Sequence, residues 1–209
     1  MGRNLGFKSL YENYPKKTFR DICSVVRGGS PRPAGSLIFY DGPIPFLKVA
    51  DLTKDDEKYV NTFTATIKAA GLSRSRYVKS NTLMLTNSGA TLGVPKICTF
   101  ETCFNDGIQA FLDIPDNISK EYVYYFLRSK THLFRDLIAR GQGQPNLNTE
   151  MVKSMKIPLP SFQEQNNVVS FLDEIKVNLE CFRRHQAETA AELDALLPAV
   201  LERAFRGEL

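Results

Sequence analysis

Histidine is nearly absent: His132 and His185 are the two in 209 residues. A histidine-based triad or a histidine-rich metal site is excluded by that scarcity. The four cysteines, Cys23, Cys98, Cys103 and Cys181, are scattered and form no CxxC pair. Neither a zinc site nor a disulfide framework fits that spacing, and four reduced thiols are expected. No run approaches the roughly 18 apolar residues of a membrane span, and the opening MGRNLGFKSLYENYPKK has no signal-peptide core. A cytoplasmic chain without a membrane is the expectation. There is no internal repeat. SGATLG (88–93) follows a β-like run but matches neither the P-loop nor the dinucleotide-binding spacing, and reads as a tight turn. Pro115–Asp116 and Glu174–Lys176 superficially match a nuclease signature, yet they lie far apart and the second falls on a helix. No catalytic residue, no metal and no cofactor of its own are therefore expected. The chain reads as a binder.

What is present is unevenly charged. Residues 1–162 carry 22 Lys and Arg against 14 Asp and Glu, a balance of +8, whereas 163–209 carry 5 against 9, a balance of −4. A basic front binds something anionic and an acidic tail does not. With 43% hydrophobic residues, the chain can bury one good core, or a core and an appendage.

The appendage is marked by its periodicity. From Val168 the seam runs Val168, Leu172, Ile175, Leu179, Phe182, then the polar layer Gln186 and Thr189, then Leu193, Leu196 and Val200. Steps of four and three are those of a coiled coil. Ser161 and Glu164 form a capping box at its start, behind Pro158 and Pro160. A helix from Phe162 to Arg206 would be ~65 Å long, with Pro198 expected to kink or restart it. The front reads as mixed α/β. Its β-like runs are SLIFY (36–40), 44–52, 81–88, 95–100 and 153–159, and a helix spans 119–140 with Ser119 as N-cap. The expected fold class is α+β, a globular domain at 1–160 followed by a coiled-coil helix at 161–209.

The front's polar residues suit DNA. VVRGGSPRPAGS (25–36) places Arg27, Ser30 and Arg32 around paired glycines, a flexible basic loop able to approach phosphates. LSRSRYVKS (72–80) clusters Arg74, Arg76 and Lys79. TNSGATLG (86–93) and GQGQPNLN (141–148) supply amides and hydroxyls. Lysine and arginine hold phosphates and set register, whereas Arg, Gln and Asn read base edges through paired hydrogen bonds. The expected contacts to DNA are Arg27, Ser30, Arg32, Arg74, Arg76, Lys79 and Lys96, with Asn87, Ser88, Gln142, Gln144 and Asn146 as hydrogen-bonding candidates.

The order RGGSPRP, IPFLKVADL, LMLTNSGATLGVPKI, FNDGIQAF, GQGQPNLN…MKIPLPSFQEQ and LLPAVLERAFRGEL resembles the specificity (S) subunit of type I restriction–modification systems. The resemblance covers roughly residues 18–209. It implies a target recognition domain that reads double-stranded DNA, and a helix that packs on a second such helix and docks methyltransferase (M) subunits. A restriction (R) subunit is a further implied partner. The family usually carries two domains and two helices in tandem, and this chain has one of each. It is expected to be a half-subunit, natural or excised, that pairs with itself as an antiparallel homodimer and reads an interrupted palindrome. Two other readings remain open: the specificity module of a combined type II restriction–methylation enzyme, and a coiled-coil adaptor that binds no DNA.

Overall fold

The computed structural model describes residues 14–89, 91–139 and 147–208. Its contacts divide the chain into two compact units that part between Asn166 and Asn167.

The first unit is organised around TLMLT, β7 (Thr82–Thr86), which is buried at all five positions. Successive side chains of a strand point to opposite faces. Leu83 and Leu85 therefore enter one hydrophobic cluster while Met84 enters another. β7 lies in a five-stranded sheet between β10 (Ile108–Leu112) and β8 (Pro95–Cys98), with β2 (Ser24–Arg27) beyond β10 and β4 (Tyr59–Val60) beyond β8. A four-stranded sheet orders β5 (Ala65–Ile67), β3 (Tyr40–Leu47), β9 (Thr102–Phe104) and β6 (Arg76–Val78). Both sheets are mixed, because β3 runs parallel to β9 and β4 parallel to β8.

Three apolar clusters hold these layers. Leu47 and Phe104 of the smaller sheet pack with Met84, Ile108 and Ala110 of the larger. Phe46, the neighbour of Leu47, points the other way and joins Tyr40, Ile67 and Cys103. The largest cluster lies between the five-stranded sheet and α4 (Lys120–Ala139), whose Val123, Leu127 and Phe134 recur at helical spacing. Ser119 caps that helix, its hydroxyl accepting the Tyr122 N–H at 3.2 Å. Phe19, on the short helix α1 (Phe19–Ile22), is fully buried with its ring 5.1 Å from that of Phe111. Burying such a ring contributes about 2–3 kcal/mol. A two-stranded sheet pairs β1 (Lys16–Thr18) with β11 (Lys156–Pro158). The remaining short helices are α2 (Val49–Thr53), α3 (Ala69–Leu72) and α5 (Thr149–Ser154). The fold is α+β, as expected.

Two β-like runs fold differently. In SLIFY the Ser36 carbonyl accepts the N–H groups of both Phe39 and Tyr40 at 2.9 Å. That turn delays the strand until Tyr40. In 44–52 the strand stops at Leu47, because the Asp51 carboxylate accepts the Lys48 N–H at 2.8 Å and starts α2. Local capping overrides β-propensity at both places.

The long helix is α6 (Phe162–Phe205). Its capping box is formed: the Ser161 N–H donates to Glu164 Oε2 at 2.9 Å, and the Glu164 N–H to Ser161 Oγ at 3.3 Å. Gln165, buried in the first unit, accepts the Ser119 N–H at 2.9 Å and donates to the Pro160 carbonyl at 3.0 Å. In the second unit the helix continues past Pro198 without a break. The missing proline N–H falls where every side chain is exposed, so water can take the freed carbonyl. Gly207 ends it with φ of 71°, its N–H reaching the Ala204 carbonyl while Glu208 N–H reaches that of Arg203. Paired bonds of that kind need a left-handed residue just past the helix end, which glycine adopts without strain. No described helix is long and apolar enough to cross a membrane.

Candidate nucleic-acid interface

Arg27 is the last residue of β2, held in register opposite Gln109. Its Nε donates to the Asp106 carbonyl at 2.6 Å. Arg76 opens β6 and its Nε donates to the Arg27 carbonyl at 3.1 Å. The Ser30 hydroxyl donates to Asp106 Oδ1 at 2.7 Å, and the Arg74 guanidinium lies 5.3 Å from the centre of the Phe39 ring. Burial holds the Tyr40 phenol above its ordinary value, and its hydroxyl donates to the carbonyl of Pro31, the residue before Arg32, at 2.9 Å. Arg27 and Arg76, both exposed, thus meet where the two sheets join at the β9–β10 turn, while the exposed Arg74 and Arg32 lie on neighbouring segments, Arg74 against Phe39 and Arg32 next to Pro31. An arginine has five N–H donors in a planar fork. Spending Nε on the backbone fixes the fork of Arg27 and Arg76 and leaves their terminal amino groups for a phosphate.

The glycines beside Arg27 have a different purpose from the flexibility the sequence suggests. A Cβ on Gly28 would stand 2.2 Å from the Asn105 carbonyl oxygen, and one on Gly29 would stand 2.6 Å from that of Arg74. Backbone crosses backbone here, and the loop is braced by bonds from Gly28 N–H to the Ile108 carbonyl and from Gly29 N–H to that of Phe104, at 3.0 and 3.1 Å. Gly28→Ala is expected to lower stability by about 1–3 kcal/mol, read as an earlier urea midpoint. It should also spread the arginines and weaken DNA binding in the folded protein. An unchanged midpoint would show that the loop shifts freely.

Not every predicted contact gathers at this edge. Ser88 is half-buried beside it, within reach of Gly107. Asn87 is buried, its amide donating to the Asp106 carbonyl at 3.2 Å. It braces the turn and does not offer its side chain outward. Lys79 is exposed but follows the far end of β6, away from Arg76. Lys96 must be withdrawn from the set: it is 2% exposed, with its ammonium on the Asp55 carboxylate at 2.7 Å and the Asp55 carbonyl at 3.0 Å. β8 turns that lysine inward, and a buried ammonium needs such a partner. Gln142, Gln144 and Asn146 lie outside the described residues. The described chain resumes at Leu147, whose N–H donates to the Asn87 carbonyl at 2.8 Å and whose carbonyl accepts from Gln109 Nε2 at 2.5 Å. Leu147 is thus bound beside Asn87, which braces the β9–β10 turn.

Asp106 escaped the sequence reading, since an acid is unexpected in an anion-binding edge. Its signal was FNDGI, a compact Asn-Asp-Gly turn. It acts through neighbours by orienting Arg27, Ser30 and Asn87. Burial pushes the Cys23 thiol up to about 12 and that of Cys98 up to about 11, away from the reactive thiolate form. Among the described residues no group of three His, Cys, Asp or Glu could hold a metal ion.

Residues 11–188 match the model of the type I restriction modification DNA specificity domain. The chain is 28% identical over 174 residues to the type I restriction enzyme MjaIX specificity subunit of Methanocaldococcus jannaschii, covering 80% of this chain and 39% of that protein. It is 24% identical over 168 residues to the HindI specificity subunit of Haemophilus influenzae, covering 78% and 36%. It therefore spans less than half the length of these curated relatives. The fold is similar to the crystal structure of the HsdS subunit from Thermoanaerobacter tengcongensis, with a TM-score of 0.69 and 23% identity over 95% of this chain and 46% of that one.

Proposed function

The chain belongs to the type I restriction–modification DNA specificity family, and from that premise we propose that the edge built by Arg27, Arg32, Arg74 and Arg76 holds the DNA backbone while neighbouring amides read the bases. One observation carries this reading: the exposed guanidinium groups of Arg27 and Arg76, 49 residues apart, are joined at the β9–β10 turn, with the exposed Arg74 against Phe39 and the exposed Arg32 on the neighbouring segments. Nothing in the packing of the core requires four arginines there. The role is recognition without catalysis, the chemistry being left to partner subunits.

The α6 helix supports the second half of the proposal, an antiparallel homodimer that presents two recognition domains to an inverted, interrupted target and docks M subunits. Its seam residues Ile175, Leu179, Phe182, Leu193, Leu196 and Val200 are exposed, and a stripe this apolar is buried in a working assembly. Toward the C-terminal end Leu197 and Leu201 are exposed as well, broadening the stripe beyond a two-helix seam. The extra width supports a second partner surface, which the M subunits would cover, with an R subunit as a further member of the assembly.

Fluorescence anisotropy of a labelled mixed-sequence duplex, titrated across salt concentrations with and without the methyltransferase partner, tests the DNA reading. Neutralising several phosphates releases counterions, so affinity should fall steeply as salt rises. Replacing Arg74 and Arg76 with Ala should flatten the log–log salt slope by about 2, roughly one per lost phosphate contact. Absence of binding in both arms would sink DNA recognition and leave the coiled-coil adaptor.

A further inference from the structure

Beside the arginine edge the turn from Pro33 to Phe39 projects two aliphatic side chains into solvent, Leu37 at 70% and Ile38 at 67% exposure. Adjacent apolar residues so far from water's preference normally collapse onto a surface. These cannot, because the backbone beneath them is pinned on every side. The Ser36 N–H reaches the Pro33 carbonyl at 3.3 Å, and the Ser36 carbonyl takes the N–H groups of Phe39 and Tyr40. Lys68 donates from its ammonium to the Leu37 carbonyl at 2.7 Å and from its backbone N–H to that of Phe39 at 2.8 Å. The Tyr40 hydroxyl ties the base of the turn to the Pro31 carbonyl at 2.9 Å. The tip is held outward by construction.

Its setting is cationic. Arg32 enters the turn, Lys68 supports it, and Arg74 stacks on Phe39 at its exit. A protein surface docking against this tip would bring apolar contacts but would have to neutralise three cations. A DNA duplex supplies both halves of the match, phosphates for the cations and the faces of stacked bases for the aliphatic tip. Minor-groove and architectural proteins use such Leu and Ile wedges to open a base step and bend the helix. We propose that Leu37 and Ile38 form a wedge that enters a base step of the bound duplex, with Arg32, Lys68 and Arg74 clamping the flanking phosphates. This inference rests on the DNA reading above and adds that the bound duplex is deformed, so that step flexibility contributes to target choice.

The chain contains no tryptophan, so the I38W variant installs a single indole at an exposed position where it will not disturb the core. The 209-residue chain carrying I38W is titrated with a mixed-sequence duplex, while anisotropy of a dye on the DNA reports binding independently. Stacking on bases should quench the indole at least about twofold and shield it from iodide. In parallel, the L37A/I38A double variant should bind about tenfold more weakly with an unchanged salt slope, because an apolar wedge releases no counterions. Binding with an unquenched, iodide-accessible indole overturns the wedge and leaves DNA reading intact. Shielding of the indole by the methyltransferase partner without DNA also overturns it, making the tip a protein contact. An anisotropy trace that stays flat both with and without the methyltransferase partner overturns DNA reading, and the wedge falls with it.

Discussion

Leu193→Glu combined with Leu196→Glu is expected to convert the full chain from dimer to monomer, weakening self-association at least about 1,000-fold. Both leucines are exposed on α6, so the substitutions should leave the first unit folded and its thermal transition unmoved. Each change counts twice in a symmetric pair. Four leucine side chains lose a burial of about 1.5–3 kcal/mol each, and about 4 kcal/mol already amounts to 1,000-fold. In the antiparallel pair the four carboxylates would also be set against the apolar layer of Leu179 and Phe182 on the partner helix. Sedimentation at micromolar concentration is the direct measurement. A parent chain that stays monomeric even with DNA and methyltransferase present would remove the dimer, and with it the palindromic target. If the parent dimerises, orientation is read from Gln186 and Thr189 near the helix midpoint. An antiparallel pair brings them to the two-fold axis, where a crosslink between engineered cysteines at position 186 should form in high yield, while cysteines at position 172 should not crosslink to each other. The reverse at position 172 would establish a parallel pair.

The second large effect concerns Lys96. Lys96→Ala is expected to cost about 3 kcal/mol of stability, combining a buried stem with lost charge-assisted hydrogen bonds. Lys96→Met keeps the stem and should cost less, about 1–2 kcal/mol. The hydrogen bond from Lys96 holds the Asp55 carboxyl below its ordinary range against the opposing effect of burial. A carboxylate depressed in the fold stabilises the protein above the unfolded carboxylate pKa, and that contribution disappears as pH falls through the lower folded value. The gap between parent and Lys96→Met should therefore be full at neutral pH and narrow in acid. Urea unfolding at both pH values measures it. DNA affinity of the folded fraction should not change. A variant of normal stability with a flattened salt slope would return Lys96 to the DNA-facing set.

The two lysine and arginine outcomes show where sequence reasoning runs out. Composition marks a residue as cationic and a turn as exposed, but not which way one strand side chain faces. Lys96 occupies β8 in the register Met84↔Lys96, and only the pairing of β4 with β8 brings the segment of Asp55 close enough to receive it. Arg27 and Arg76 are 49 residues apart, and they meet because Arg27 pairs with Gln109 of β10 and Arg76 with Phe104 of β9, the two strands that the 105–107 turn joins. The glycines at 28 and 29 are another case. A paired glycine reads as flexibility, whereas two crossing backbones read as a space no Cβ can enter.

By itself the sequence determined the parts whose causes are local: the helix of α4 with its Ser119 cap, the capping box at Ser161 and Glu164, the heptad spacing of α6, the strand cores at 82–86 and 95–98, and the order of motifs that resembles the specificity family. Each rests on residues within a few positions of one another, where propensity, capping and periodicity act. The tertiary structure alone decided that Arg27 and Arg76 join at one turn, that Asp106 holds Arg27, Ser30 and Asn87 there, that Asn87 faces inward, and that Leu37 and Ile38 stand out into solvent. Those facts depend on strand order and on contacts between distant segments, which have no local signature because the chain must close before the groups can meet.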